Sequence, residues 1–240
     1  MGSGTVFERY EIKYIITEKQ KELIKNGMEK YMAPDKYGRS VIRNIYYDTA
    51  DSRLIRRSNE KPVYKEKLRV RSYRRVESDD EKVFVELKKK YNSVVYKRRT
   101  VLSENTAAKW LNDGQLPQEQ TQIISEIEYF RRFYGSLVPS AFVSYDREAF
   151  FAVDGSDFRV TFDENISART TDLSLKKDVG GEKLLGNGLV LMELKTHSGI
   201  PLWMTSLLSE NEIYKTSFSK YGTAYRTMIF PEKGEIKNVC

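Results

Sequence analysis

The chain has 240 residues, long enough to bury a sizeable core, and its 40% hydrophobic and 12% aromatic content excludes a disordered chain. A formal net charge of +7 and a pI near 9.2 point to an anionic partner, leaving nucleic acid, phosphorylated metabolites and acidic lipid open. One cysteine, Cys240, and one histidine, His197, exclude an internal disulfide and any metal cluster built on cysteine or histidine, and no apolar run is long enough for a membrane-spanning helix. With no secretory leader either, the expectation is a soluble, cytoplasmic protein in which Met1-Gly2-Ser3-Gly4 is an expression scar, residues 5–232 are one domain and residues 233–240 are a tail.

Residues 8–16 alternate Arg9, Glu11 and Lys13 with Tyr10, Ile12 and Tyr14, the period of a first strand. Thr17 and Gln20 have capping-box spacing and open a helix with Leu23, Ile24, Met28 and Tyr31 on one side, which Pro34 is expected to stop. Residues 44–48 read as a second strand and 49–57 as a turn or short helix. In residues 65–75, KEKLRVRSYRR, Lys67, Arg69 and Arg71 share one face while Leu68 and Val70 share the other. Residues 83–90 put Val83, Val85 and Leu87 opposite Glu86 and Lys88. Residues 94–101 pair Lys97 with Arg99, or Arg98 with Tyr96, depending on a register the sequence leaves open.

Two amphipathic helices follow, one capped by Ser103 and ending near Gly114, the other over residues 122–134 with Ile123, Ile124, Ile127 and Phe130. Strands resume at 141–150, with Val143, Tyr145 and Arg147 on one face, and at 158–165, with Arg159, Thr161, Asp163 and Asn165 together. Residues 172–188 read as a polar loop or a hairpin connection. Residues 189–196 are a strand bearing Glu193 and Lys195, Pro201 starts a short helix, and residues 211–229 are expected to be helical.

The polar faces of these strands are predominantly cationic, whereas their opposite faces are apolar enough to be covered by helices. An all-antiparallel sheet of this kind, closed with its charged face inward, makes a wet basic tunnel. Unpaired buried charge costs several kcal/mol per ion, so the tunnel calls for anions, and arginine and lysine suit a chain of phosphates. The few carboxylates, Glu193 first, are candidate ligands for Mg²⁺ or Mn²⁺, hard ions that bridge phosphates. Glu11 either contacts such an ion or pairs with Arg9.

Seven segments in order, Arg9-Tyr10-Glu11-Ile12-Lys13-Tyr14, Leu68-Arg69-Val70-Arg71, Glu86-Leu87-Lys88, Lys97-Arg98-Arg99, Ser144-Tyr145-Asp146-Arg147-Glu148-Ala149-Phe150, Met192-Glu193-Leu194-Lys195 and Phe218-Ser219-Lys220-Tyr221-Gly222, resemble the VTC domain. This is the polyphosphate polymerase domain of the vacuolar transporter chaperone complex, a branch of the CYTH-like triphosphate tunnel metalloenzymes. The resemblance implies an α+β fold, a closed antiparallel eight-stranded β-barrel with a polar, basic interior and helices packed outside. It implies that Lys13, Arg69, Arg71, Lys88, Arg147 and Lys220 grip the reacting phosphates and that Glu193, with Glu11, holds the metal. Arg9, Lys67, Lys97, Arg99, Arg159, Lys195 and Ser219 are further phosphate contacts. Many tunnel enzymes begin Glu-x-Glu-x-Lys; this chain has Arg9-x-Glu11-x-Lys13, which fits the polymerase branch.

The implied reaction transfers the γ-phosphoryl group of ATP to polyphosphate, with Mn²⁺ or Mg²⁺ as cofactor. A triphosphatase acting on tripolyphosphate or a nucleoside triphosphate is the first alternative, and a non-catalytic polyphosphate or inositol-phosphate binder the second. Nucleic acid is not the expected partner, since that use of positive charge calls for an open basic face.

Overall fold

A computed structural model describes residues 10–92, 94–197 and 199–231. It is an α+β fold in which one large antiparallel sheet curls around its charged face and the helices pack on the outside. In chain order the elements are β1 (Tyr10–Thr17), α1 (Glu18–Met28), β2 (Met32–Pro34), β3 (Ser40–Thr49), α2 (Arg53–Asn59), β4 (Tyr64–Ser72), β5 (Lys82–Tyr91) and β6 (Val94–Ser103). Then come α3 (Glu104–Asp113), α4 (Gln122–Tyr134), β7 (Leu137–Ala152), β8 (Arg159–Arg169), β9 (Glu182–Lys183), β10 (Leu189–Thr196), α5 (Leu202–Glu210), α6 (Lys220–Ala224) and a π-helical turn, Tyr225–Ile229.

The strand path is β1-β10-β8-β7-β3-β4-β5-β6, with β2 and β9 as short additions to β7 and β8. The expected closed barrel is therefore corrected: no hydrogen-bonded ladder joins β1 to β6 among the described residues. Side chains and one loop bridge the gap instead. Lys88 on β5 reaches Glu11 on β1 at 2.8 Å, and the segment 211–219 lies along β1, where the Thr216 amide donates to the Lys13 carbonyl at 2.7 Å.

The period-two patterns explain which face goes where. Leu68, Val70, Val83, Val85 and Leu87 all turn outward and are buried beneath Trp110 and Leu111 of α3 and Ile124, Ile127 and Phe130 of α4. Ile24 and Met28 of α1 and Met204 and Leu208 of α5 cover Phe162, Met192 and Leu194 in the same way. A third cluster lies on the concave side, where Ile42, Tyr46, Ala141 and Leu191 surround Tyr221, Ala224 and Tyr225 of the C-terminal helical segment. The Tyr221 ring stacks on Tyr46 at 4.5 Å and its hydroxyl donates to Asp48 at 2.9 Å. One part of the interior is thus an apolar plug, and the basic lining occupies the rest.

Local signals explain the element ends. The Thr17–Gln20 capping box forms in both directions, and Ser103 and Thr121 cap α3 and α4 through their hydroxyls. Gly114 closes α3 at φ 77°, a conformation glycine adopts without strain. Three expectations need correction. Helix α1 ends at Met28, and Pro34 closes β2, a three-residue strand on β7, rather than stopping a helix. The strands at 44–48 and 141–150 extend to Ser40–Thr49 and Leu137–Ala152. Residues 211–219 are not helical, because the Thr216 amide bonds to β1 and Glu212 takes a positive φ of 52°. No helix among the described residues is long and apolar enough to cross a membrane. Arg9 and the residues expected to form a scar and a tail lie outside the described residues.

Candidate functional site

The concave face encloses a cavity of about 1560 Å³ whose lining reaches from Tyr37 and Arg39 before β3 to Lys65 and Lys90 on β4 and β5. Lys13, Lys67, Arg69, Arg71, Lys88, Lys97, Arg99, Arg147, Arg159, Lys195, Ser219 and Lys220 all line it, as do Glu11 and Glu193. The open register of β6 resolves with Lys97 and Arg99 inward; Arg98 bonds Glu126 of α4 at 2.7 Å.

Sheet register sets like charges side by side. Lys67, Lys88 and Lys97 are directly opposite one another across β4, β5 and β6, and Arg159 faces Lys195 across β8 and β10. Directly opposed like charges destabilise a sheet. One row further along, Glu86 sits between Arg69 and Arg99 and bonds both, at 2.7 and 2.8 Å, together with Lys97 at 2.7 Å. Burial works against charge on Glu86, but Arg69, Arg71 and Lys97 outweigh it and hold its pKa far below the usual carboxylate range.

The opposite wall is built on Asp163 and Glu193. Asp163 is fully buried and accepts both Nε and Nη2 of Arg147 at 2.6 Å, with Lys220 Nζ at 2.6 Å from the same carboxylate. Glu193 lies within 2.8 Å of Lys195, 3.4 Å of Arg147 and Lys220, and 3.6 Å of Lys13. Burial opposes its charge too, yet Lys195, Lys220 and Lys13 keep it ionised well below the usual value. Arg71 donates to Asn44 at 2.8 Å and to the Tyr145 hydroxyl at 2.9 Å, and the Lys220 ammonium lies 4.4 Å over the Tyr145 ring. Lys13 reaches the Phe218 carbonyl at 2.8 Å and Lys67 the Ser219 hydroxyl at 3.0 Å, so the 211–219 segment is tied to both β1 and β4.

Burial lowers the pKa of four cavity lysines, Lys65, Lys67, Lys97 and Lys195, and two of them are shifted far. Burial first, then Lys13, Lys65, Lys88 and Arg69, push Lys67 down to about 7, and burial pushes Lys97 down to about 8 despite Glu86. Between these values and 10.5 the unfolded chain carries the extra protons, so the strain on the fold is greatest below pH 7 and fades as pH rises. An anion among these amines recharges them.

Glu11 and Glu193 are diagonal neighbours on the cavity face of adjacent strands, where burial opposes charge on Glu11 but Lys88 brings its pKa down to about 2. Among the described residues no group of three or more histidine, cysteine, aspartate or glutamate side chains could hold a metal. Glu11 and Glu193, both now paired with lysines, are the carboxylates that could contribute to a hard divalent ion, whose other ligands would be water and phosphate.

Sequence reasoning missed Glu86 and Asp163 as organisers of the arginines, and it missed the 211–219 segment. Glu86 reads as an ordinary polar-face residue until the register puts Arg69 and Arg99 on either side of it.

A family model described as the VTC domain matches residues 8–229. No curated protein matches the sequence. Among solved structures, a candidate adenylyl cyclase from Hippeastrum, described as having a dominant triphosphatase activity, superposes with a TM-score of 0.55 at 16% identity, covering 91% of this chain and 95% of that one. A candidate adenylate cyclase from Bacillus halodurans superposes with a TM-score of 0.53 at 12% identity, covering 88% and 95%. These likenesses are of fold, and the family match over nearly all of the described residues leads to one assignment: the chain belongs to the VTC domain family, on a fold similar to that of these two proteins.

Proposed function

We propose that the cavity holds a chain of phosphates and that the protein transfers the γ-phosphoryl group of ATP to the end of a growing polyphosphate, releasing ADP. The observation that carries this reading is the row of Lys67, Lys88 and Lys97 inside a cavity of about 1560 Å³. Lys88 and Lys97 lean on Glu11 and Glu86 while Lys67 meets the neutral Ser219 hydroxyl, so the row attracts a further anion, and the volume exceeds the roughly 300–1,000 Å³ of single-ligand pockets. The charge lines a concave cavity rather than a flat face, which argues against nucleic acid.

Arg69, Arg71 and Arg147, held by Glu86, Asn44 and Asp163, present fixed forks to phosphate oxygens, and Lys13, Lys88 and Lys220 supply point charges. Lys67, Lys97, Arg99, Arg159, Lys195 and the Ser219 hydroxyl continue the track, with Arg9 as a further contact. The bond from the γ-phosphorus to the ADP oxygen breaks as a terminal phosphate oxygen of the chain bonds to that phosphorus. That oxygen is already anionic, so no general base is required and positioning with charge stabilisation supplies the catalysis. A divalent ion, Mn²⁺ or Mg²⁺, held by Glu193 and Glu11 would neutralise charge on the β- and γ-phosphates.

If water takes the place of the chain end, the same site is a triphosphatase, and the activity described for the Hippeastrum neighbour favours this second reading. Incubation with ATP and Mn²⁺ or Mg²⁺, with and without a short polyphosphate primer, separates the two. Polymer growing in step with ADP is expected. Free phosphate without polymer makes the protein a triphosphatase, and no product in any channel leaves a binding module.

A further inference from the structure

Lys67 differs from the other lysines proposed to contact phosphate in what its amine touches. Lys13 and Lys195 reach Glu193, Lys88 reaches Glu11, Lys97 reaches Glu86, and Lys220 reaches Asp163 and Glu193. The Lys67 amine donates to a neutral partner, the Ser219 hydroxyl, at 3.0 Å. The charged groups acting on it are cations from three strands: Lys13 of β1, Lys65 and Arg69 of β4, and Lys88 of β5. It is half-buried and opens onto the cavity.

An amine in that setting has two properties at once. The surrounding cations collect anions, and burial first, with the same cations second, disfavours its own protonation, bringing its pKa to about 7 so that a large share is free base in neutral solution. Lysines made nucleophilic by neighbouring cations form Schiff bases with carbonyl compounds.

We propose that Lys67 is a covalent modification site for phosphorylated aldehydes, which dock by their phosphate among Lys13, Arg69 and Lys88 and condense with the ε-amine. The docked phosphate raises the protonated share of the amine, so attack on the carbonyl carbon proceeds through the free base that remains; a C=N bond forms, and the carbonyl oxygen leaves as water with the two amine protons. No oxidant or reductant is needed, and the reaction reverses on dilution. The adduct occupies the track proposed for phosphate chains, so phospho-aldehydes inhibit the protein by occupying it. The inference rests on the phosphate-binding part of the proposed function but not on turnover.

The test is labelling of the full chain with pyridoxal 5′-phosphate at neutral pH, trapping with borohydride, and peptide mapping by mass spectrometry. Substoichiometric reagent is expected to label Lys67 first, tripolyphosphate to protect it at least tenfold, and pyridoxal, which lacks the phosphate, to label it at least tenfold less. Lys67→Arg and Lys67→Met are each expected to lose the protected label while circular dichroism stays unchanged. Preferential label at Lys65, whose amine donates to the Ser58 carbonyl at 3.3 Å, or label spread evenly over surface lysines, overturns the proposal. Labelling at Lys67 without any polymer from ATP would leave this site standing and remove the polymerase reading. Tripolyphosphate binding without labelling would do the reverse.

Discussion

Asp163→Asn is expected to lower the unfolding free energy by about 3–5 kcal/mol, the range for removing one partner of a buried ion pair. Asp163 is fully buried and balances two cations, Arg147 and Lys220, at 2.6 Å each. The amide keeps the shape but withdraws the charge, leaving Glu193, 3.4 Å from each, as the remaining carboxylate for both cations. For a chain of this size the loss corresponds to a fall in melting temperature of roughly 6–20 °C. Burial opposes ionisation of Asp163, and Arg147 and Lys220 outweigh it, so its folded pKa lies below 3.8. Its contribution is present above that value and is lost as pH falls through the folded pKa. A thermal melt at pH 7 measures the effect, and a shift under 2 °C would mean that these charges are balanced by water rather than by each other.

Glu193→Gln is expected to cut metal-dependent turnover of ATP by about 10²–10³, the usual magnitude for one preorganised electrostatic group. The same change removes a negative charge from beside the phosphate track. Tripolyphosphate in metal-free buffer should therefore bind the variant as tightly as wild type or more tightly. Opposite signs for turnover and binding separate a metal-holding role from a merely structural one, because a damaged site loses both. Turnover within threefold of wild type, with an unchanged metal titration, would remove Glu193 from the proposed chemistry.

Much of this site is legible before any coordinates. Lys67, Arg69 and Arg71 alternate with Leu68 and Val70, and a period of two assigns faces directly, so the inward cations and the outward core residues of β4 and β5 follow from spacing alone. Glu193 is visible as the acid beside Lys195 on β10. What spacing does not supply is long-range pairing. The anchoring role of Glu86 depends on the register that brings Arg69 from β4 and Arg99 from β6 to either side of it. Asp163 looks like one more polar-face residue until Arg147 is found opposite it on β7.

The unclosed sheet and the 211–219 segment are hidden for the same reason. Whether β1 meets β6 is decided by the curvature of the whole sheet, and local sequence is silent on it. Ile213, Tyr214 and Phe218 are apolar enough to suggest a helix. The Thr216 amide nevertheless finds its acceptor on β1, and Lys13 donates to the Phe218 carbonyl, so the backbone stays extended. Tertiary partners override weak local preference here.

The claim at the centre is that the basic interior is a site for phosphate chains, and calorimetric titration with tripolyphosphate at pH 7.5, without metal, in two buffers of different ionisation enthalpy tests it. Binding should be linked to proton uptake by the protein, because an anion beside them favours the charged forms of Lys67 and Lys97, whose pKa values are held low in the free protein. Affinity should fall as pH rises past those free-protein values of about 7 and about 8, and Arg69→Ala should weaken binding at every pH. Absence of binding, or binding that takes up no proton and ignores Arg69→Ala, would place the anion elsewhere and contradict the assignment.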